Sequence, residues 1–453
     1  MKVQFVSQAS VIVECSDCRI WSDPWLHGKA FNESWGLLPP SQFDLAQLAD
    51  IDYLWLSHEH PDHFHIPTLK SLPADFKDRV TVLFQDNNSN KMFDALRKLG
   101  FRTFVKLPHR KIVTLTPETR VYNMQIGNMD SSLAVLNGGK VLLNLNDCEA
   151  NTRDCLLIRK DIGDVDVVLN QFSIAGYSGE EDRELHLRRL ATSILENVSE
   201  NHRDLNAAAT IPIASFVYFC TEDNRYVNDY ANRVHHVHHT LTERGQRCDV
   251  LYPNDVYVVG EPHDSRPALE RYATAYTDPN LKFDKPAIVP LEQIEQAFHE
   301  RVKHFRESYP RTVLRFLKPP VVRIPDLNAT IRFNISADTF ERLPDDVAPD
   351  VTIYSQPLHF VFRWPFGLQT LGVSARFILH KNAKNWRRHR ILFSMDNAEL
   401  YLRPRLLFTA KNMRWFMERL PGGVNQLRYQ LSRMKPAAPQ PNETSKKSRS
   451  RIA

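Results

Sequence analysis

The chain has 453 residues, 42% of them hydrophobic and 25% charged, with a net charge of +5; at roughly 100–200 residues per domain it can bury more than one core. No apolar run approaches the ~18 residues of a membrane span, and the start MKVQFVSQAS lacks the apolar centre of a signal peptide, so a cytoplasmic protein without a transmembrane segment is expected. Residues 381–453 carry 17 Lys and Arg against 4 Asp and Glu, leaving the first 380 at −8; the basic end is either a phosphate-facing surface or a solubilising tail, and no nucleic-acid partner is expected.

The strand candidates VQFV, SVIVE and RIWSD come first, each a short β-type run closed by turn residues. Between the last two lies Cys15-Ser-Asp-Cys18, a lone C-x-x-C that reads as a hairpin turn. The six cysteines show no repeated pair spacing, which points to free thiols in a reducing compartment. DYLWLS is the next strand. The helical stretch IPTLKSLP follows it, then the strand VTVLF and the helix SNKMFDALRKLG, which ends at Gly100. KIVTL, RVYNM, SLAVL, VLLNLN and DVVLN continue the strands, with Asn137-Gly138-Gly139 as a hairpin turn. Helical spacing of Leu187, Leu190, Ala191, Ile194, Leu195 and Val198 predicts an amphipathic helix over 181–202, and a second runs through Val227, Tyr230, Val234, Val237 and Leu241. A third covers 291–305. After Leu317-Lys318-Pro319-Pro320, the strands VVRIP, TIRFNIS and VTIYS open a smaller α+β unit. The expected division is a catalytic domain over 1–260, a helical connector over 261–318, a C-terminal α+β domain over 319–434 and a disordered basic tail over 435–453.

LSHEHPDHFH, at residues 56–65, crowds four histidines and two acids behind the apolar run Tyr53–Leu56. His58 and His60 are two residues apart, the period of an extended strand, so both can face one metal ion while Asp62 and His63 reach a second. Glu59 and Pro61 are spacers, and His65 is placed outside the site. His235 and His239, at i and i+4 on the second helix, read as a solvated face because no third ligand accompanies them.

This H-x-H-x-D-H motif, with IWSDPWLHG ahead of it and LLNLNDC after it, resembles the metallo-β-lactamase superfamily. The resemblance implies an α/β fold, an αββα sandwich binding one or two metal ions, with His58, His60, Asp62 and His63 as ligands, Asp147 as a bridging carboxylate and Asp23 buried behind them. DPWLHGKAFNESWGLLPP, SHEHPDHFHIPTLK, NMDSSLAVLNGGKVLLNLNDC and ASFVYFCTEDNRYVND narrow it to the lactamase-fold part of the CMP-N-acetylneuraminate hydroxylases. Three departures accompany that likeness. A Rieske iron–sulfur domain, whose cluster needs two Cys and two His, has no C-x-H pair here, which implies a separate redox partner. Asp130 stands where most hydrolases of the superfamily place a third-motif histidine. Thr221 stands where a late histidine is expected, with Glu222, His235 and His263 as candidate replacements.

Two ions, iron or zinc, are therefore the expected cofactors. With iron, the carboxylates Asp130 and Asp147 suit a hard, oxidisable ion and the activity is that of an oxygenase on an activated sugar or other anionic, phosphate-bearing metabolite. With zinc, the site is that of a hydrolase of phosphoesters or lactones. A third reading is a binding protein with a decayed site. Asp62 is the expected proton acceptor, and Arg387, Arg388 and Arg390 are the expected phosphate contacts.

Overall fold

The computed structural model describes residues 1–402 apart from 87–89, 128, 178–181, 381–382 and 398–399. The basic tail predicted over 435–453 lies outside the described residues. No helix among them is long and apolar enough to cross a membrane.

Two sheets face each other in the first half of the chain. The first has seven strands in the spatial order 256–258, 2–7, 10–14, 19–22, 53–56, 81–85 and 103–107; the second has five, 119–126, 130–137, 140–146, 167–171 and 209–213. The two-residue alternation of the strands sorts their side chains. Val11, Val13 and Trp55 enter the core between the sheets, with Val121, Leu133, Val135 and Leu169 opposite. Ile12, Leu54 and Leu56 enter an outer core with Leu69, Phe76 and Leu96 of the helices Ile66–Ser71, Ala74–Arg79 and Lys91–Lys98. The second sheet is covered on its outer face through Cys155 and Ile158 of the helix Thr152–Ile162. The architecture is an αββα sandwich, and each large apolar side chain fully buried in it contributes about 1.5–3 kcal/mol. All ten strand runs expected in this region are present; TFVKL, ATIPI and the short edge strands escaped prediction because they are too brief or too mixed in polarity to show a period.

The first long helix spans Arg183–Asp204. The second is shorter than the apolar spacing predicts: a 3-10 turn at Arg225–Asp229 precedes the helix Val234–Glu243. Asn232, buried between them, donates to the carbonyls of Phe172 and Ala191 at 3.0 and 2.7 Å. That side chain thus serves a neighbouring strand end and helix, in the gap where the periodic pattern would have continued.

A five-stranded sheet in the order 339–343, 329–334, 321–324, 351–353 and 377–379 follows. Helix Leu291–Ser308 supplies Ile294, Phe298, Val302 and Phe305 to its core. That core is continuous with Trp25, Phe31, Trp35 and Phe219 around the small sheet 217–219, 35–37 and 29–30. Domain boundaries at 260 and 318 are a proposal, and the predicted boundary at 434 lies outside the described residues. Arg376 joins the two regions: its guanidinium contacts Asp223 at 2.8 Å and donates to Asn32 O and Gln356 Oε1 at 3.2 and 2.7 Å, with the Arg and Asp side chains 2% and 3% exposed. Nearby, Gly176 (φ +112°) is so close to the helix Gly367–Ser374 that a Cβ would fall 2.7 Å from Gly372 O. Arg376→Ala is expected to cost about 3–5 kcal/mol, because it strands the buried Asp223 carboxylate; chemical denaturation measures it.

His389 is buried against Phe333, its Nδ1 2.9 Å from Asn385 O, and burial pushes its pKa down to about 4. Between the unfolded value near 6.5 and that folded value, the unfolded chain binds a proton that the native one does not. Stability is therefore complete above pH 6.5, falls as pH drops toward 4, and loses up to about 3 kcal/mol from this group. Denaturation midpoints across that window are expected to depend less on pH in His389→Phe.

Candidate metal centre

Strand Tyr53–Leu56 is the interior parallel strand between 19–22 and 81–85, buried at three of its four residues because both faces are covered. The chain leaves it at Ser57 and turns sharply: the amides of His63 and Phe64 both donate to His60 O, at 3.0 and 2.7 Å. His58 and His60 were expected to converge as alternate residues of an extended strand. The strand stops at Leu56, and it is this turn that brings His58 Nε2 to 2.7 Å from His60 Nδ1. From the opposite sheet, Asp130 opens the strand Asp130–Asn137 and Asp147 follows the strand Lys140–Asn146. Gln85 Nε2 and Ser131 Oγ both donate to Ser57 O, the former at 3.2 Å and the latter at 2.7 Å, tying the two sheets together beneath the cluster.

Asp23 organises the base. It is fully buried with φ +38°, and its carboxylate accepts from Ser57 N at 2.8 Å, Ser57 Oγ at 2.7 Å and Asn146 Nδ2 at 3.0 Å, with His63 Nδ1 at 2.9 Å. Asn146 also has positive φ, +62°. Asp and Asn tolerate that region better than other residues with a side chain, so these two types suit both turns. The Asp23–His63 contact directs the other ring nitrogen of His63 into the site, the arrangement that orients metal-binding histidines.

Two groups of three ligand atoms converge here, each within 4.8 Å: His58, His63 and Asp147, and His58, His60 and Asp130. His58 Nε2 is 3.6 Å from Asp147 Oδ2 and 3.7 Å from Asp130 Oδ1, so it belongs to both. His63 Nε2 is 3.4 Å from Asp147 Oδ2 and 3.2 Å from Asp62 Oδ2. Asp62, expected to join His63 at a second ion, therefore lies beside that nitrogen, and its Oδ2 also accepts from Gln8 Nε2 at 3.4 Å. The residues fit a cation. Asp62 Oδ1 and Asp147 Oδ1 are buried without a hydrogen-bond partner among the described residues, a costly state for acceptors unless a positive ion faces them.

The charges are strongly interdependent. Burial opposes ionisation of Asp147, yet His63 and His58 hold its carboxyl well below the usual range. Burial alone would lower His63, but Asp147 and Asp62 raise it well above an ordinary histidine. Asp130 is pushed up to about 7 by burial and by the charge of Asp147. His58 and His60 are both lowered by burial. In the metal-free protein a charged His63 therefore supplies the positive charge among the carboxylates, and metal binding must displace its proton.

The other named residues fall elsewhere. His65 caps the helix Ile66–Ser71 by accepting from Thr68 N, and packs on Trp25. Thr221 is buried and donates its amide to Asn224 Oδ1; Glu222 is exposed, His235 packs near Tyr276, His263 Nε2 lies 3.0 Å from Val250 O, and His239 pairs with Glu243 at the surface. Among the described residues, none of these enters either group of three. The second group is assembled without a late histidine, through Asp130. Arg387, Arg388 and Arg390 are exposed on the helix Lys384–Asn397. The Cys15–Cys18 segment closes a hairpin through Cys15 N to Cys18 O, 2.9 Å, and all six cysteines are free.

Two polar residues of a nearby strand end went unnoticed in the sequence. A cavity of about 70 Å³ is lined by Cys148, Glu149, Asn170 and Ser173 among others, and Asn170 Nδ2 and Ser173 Oγ are buried without partners among the described residues. Their one signal was Asn170 interrupting the apolar run at the carboxyl end of a parallel strand, where α/β sheets place ligands.

Residues 2–170 match the family model described as the beta-lactamase superfamily domain. The matched segment carries His58, His60, Asp62, His63, Asp130 and Asp147. The chain is also 31% identical over 183 residues to a Mycolicibacterium smegmatis protein named as a Rieske 2Fe-2S iron-sulfur protein, covering 38% of this chain and 34% of that one. It is 26% identical over 249 residues to the cytidine monophosphate-N-acetylneuraminic acid hydroxylase of Asterias rubens, covering 50% and 36%. The chain thus spans about a third of the length of the curated relatives it matches. Among solved structures, the diiron β-hydroxylase CmlA of Streptomyces venezuelae aligns at 18% identity and a TM-score of 0.40, covering 56% of this chain and 53% of that one.

Proposed function

We propose that the chain is the metal-dependent catalytic part of an oxygenase, a hydroxylase with two non-haem irons and a separate electron donor. The observation that carries this reading is the make-up of the two ligand groups: each is two histidines and one carboxylate, the set that leaves open positions on iron for oxygen activation. The named relatives support it: one is a hydroxylase and one is named for an iron–sulfur centre of the electron-transfer kind. In this reading His58, His60, His63, Asp130 and Asp147 would hold the ions, and Asp23 orients His63. Bound iron supplies oxygen activation. The protein's own residues do the rest. Asp62 is the proton acceptor: burial raises its carboxyl, but His63 and its hydrogen bond lower it further, so it is ionised at neutral pH and Oδ1 has no other partner. The cavity at Asn170 and Ser173 offers two hydrogen-bonding groups to a substrate. The substrate is a small anionic, phosphate-bearing metabolite with Arg387, Arg388 and Arg390 as phosphate contacts, and the location is cytoplasmic.

A second reading is a zinc hydrolase. Two histidines and a carboxylate also make up hydrolytic zinc sites, which generate hydroxide near pH 7, and the superfamily match of residues 2–170 accommodates it. Elemental analysis of protein purified without chelator, with optical spectra on anaerobic reduction and oxygen exposure, separates the two. About two irons per chain with an oxygen-dependent spectral change is the expected result. Zinc with no response to oxygen would establish the hydrolase, and a chain that neither retains nor takes up metal would leave the binding-protein reading.

A further inference from the structure

A second cavity lies apart from the histidine cluster and shares no residue with it. It is about 270 Å³ in volume and is lined by Arg306, Arg311, Arg315, Ser336 and Leu314. Arg306 projects from the helix Leu291–Ser308, Arg311 and Arg315 from the short turn of helix after Pro310, and Ser336 from the turn between the strands Ala329–Asn334 and Thr339–Leu343. Leu314, 1% exposed, gives the cavity an apolar floor anchored in the core.

The charges around it do not cancel. Asp338 is the carboxylate that Arg306 contacts, at 3.1 Å, and it is shared with His299 Nδ1 at 2.6 Å; Arg306 also donates to Ser336 O at 3.1 Å. Arg306 is thus held in place by a carboxylate and a carbonyl. Arg311 and Arg315, both exposed, form no ion pair with any described carboxylate. A guanidinium keeps its proton at any ordinary pH, so an anion entering the cavity meets two charges that no described carboxylate neutralises. The planar forks of arginine match the oxygens of a phosphate in pairs, and a phosphate monoester carries about −1.5 to −2 at pH 7. The charge needed and the charge offered agree. The volume exceeds that of a phosphate group alone, which leaves room for a small attached carbon skeleton over Leu314.

We propose that Arg306, Arg311, Arg315 and Ser336 form a binding site for the phosphate group of a small phosphorylated metabolite, separate from the metal centre. Arg306 is the pre-set member, Arg311 and Arg315 close on the anion, and the Ser336 hydroxyl donates to it. The site does not depend on which metal the histidine cluster holds or on the reaction there.

The test is calorimetric titration of the full chain, metal-loaded, with inorganic phosphate and with glycerol 3-phosphate, each in buffers matched in ionic strength with chloride. Saturable binding of either probe is expected in the parent protein. In the double variant Arg311→Gln/Arg315→Gln, a loss of at least tenfold in affinity is expected, with unchanged metal content and circular dichroism reporting an intact fold. Arg311→Lys/Arg315→Lys keeps the charge and loses the fork, so an intermediate affinity is expected. Tighter binding of glycerol 3-phosphate than of phosphate identifies a metabolite site, and equal binding identifies one for the phosphate group alone. No heat above the chloride control in the parent, or equal affinity in the glutamine variant, would overturn the proposal.

Discussion

His58→Ala is expected to leave the protein with no bound metal, whereas His60→Ala retains about one ion. The difference follows from the geometry: His58 Nε2 lies within reach of both Asp147 and Asp130 and its single lone pair completes one group or the other, so without it neither keeps three ligands, while His60 belongs only to the group containing Asp130. Two residual ligands do not hold a divalent ion against chelators in the way three do. Metal content by elemental analysis, after dialysis against a weak chelator, reads both variants. Circular dichroism checks that the fold survives, as it should, because the His58 ring sits at the mouth of the sandwich and its loss opens a polar site rather than the core. If His60→Ala also lost all metal, the two groups would form one cooperative site; if His58→Ala kept both ions, the assignment of His58 as a ligand would fail.

Asp23→Ala carries the largest expected loss of stability. One fully buried carboxylate satisfies the amide and hydroxyl of Ser57, the side-chain amide of Asn146 and a ring nitrogen of His63. An alanine strands all of them, at about 1–3 kcal/mol for each unsatisfied buried group, and it must also adopt the positive φ of Asp23, +38°. A total above about 4 kcal/mol is expected, at the extreme of single substitutions. Chemical denaturation should show it as a lowered midpoint, and metal affinity should fall alongside because His63 loses its orienting partner. Asp23→Asn keeps one acceptor and no charge, so it should fall between the two. A loss under 1 kcal/mol in Asp23→Ala would mean that solvent or a neighbour replaces the carboxylate.

The β-rich sandwich with outer helices was legible because its strands announce themselves locally; the αββα order was implied by the family resemblance. Alternation such as Val11-Ile12-Val13 and the buried run Leu54-Trp55-Leu56 requires two covered faces whatever the partners are. The ligand types were legible for the same reason: imidazoles and carboxylates packed behind a buried strand have few other uses. Their grouping was not. The sequence alone determined the residue types of the site, the strand that carries them, and the need for an opposite sheet to cover that strand. Only the tertiary structure decided that His58 stands between the two groups, that Asp130 and Asp147 arrive from the opposite sheet 72 and 89 residues along the chain, that Asn170 and Ser173 line one cavity, and that Ser336 meets Arg306, Arg311 and Arg315 in another. These are contacts between segments whose spacing along the chain carries no period, so they follow from how the sheets and helices stack and from no local pattern.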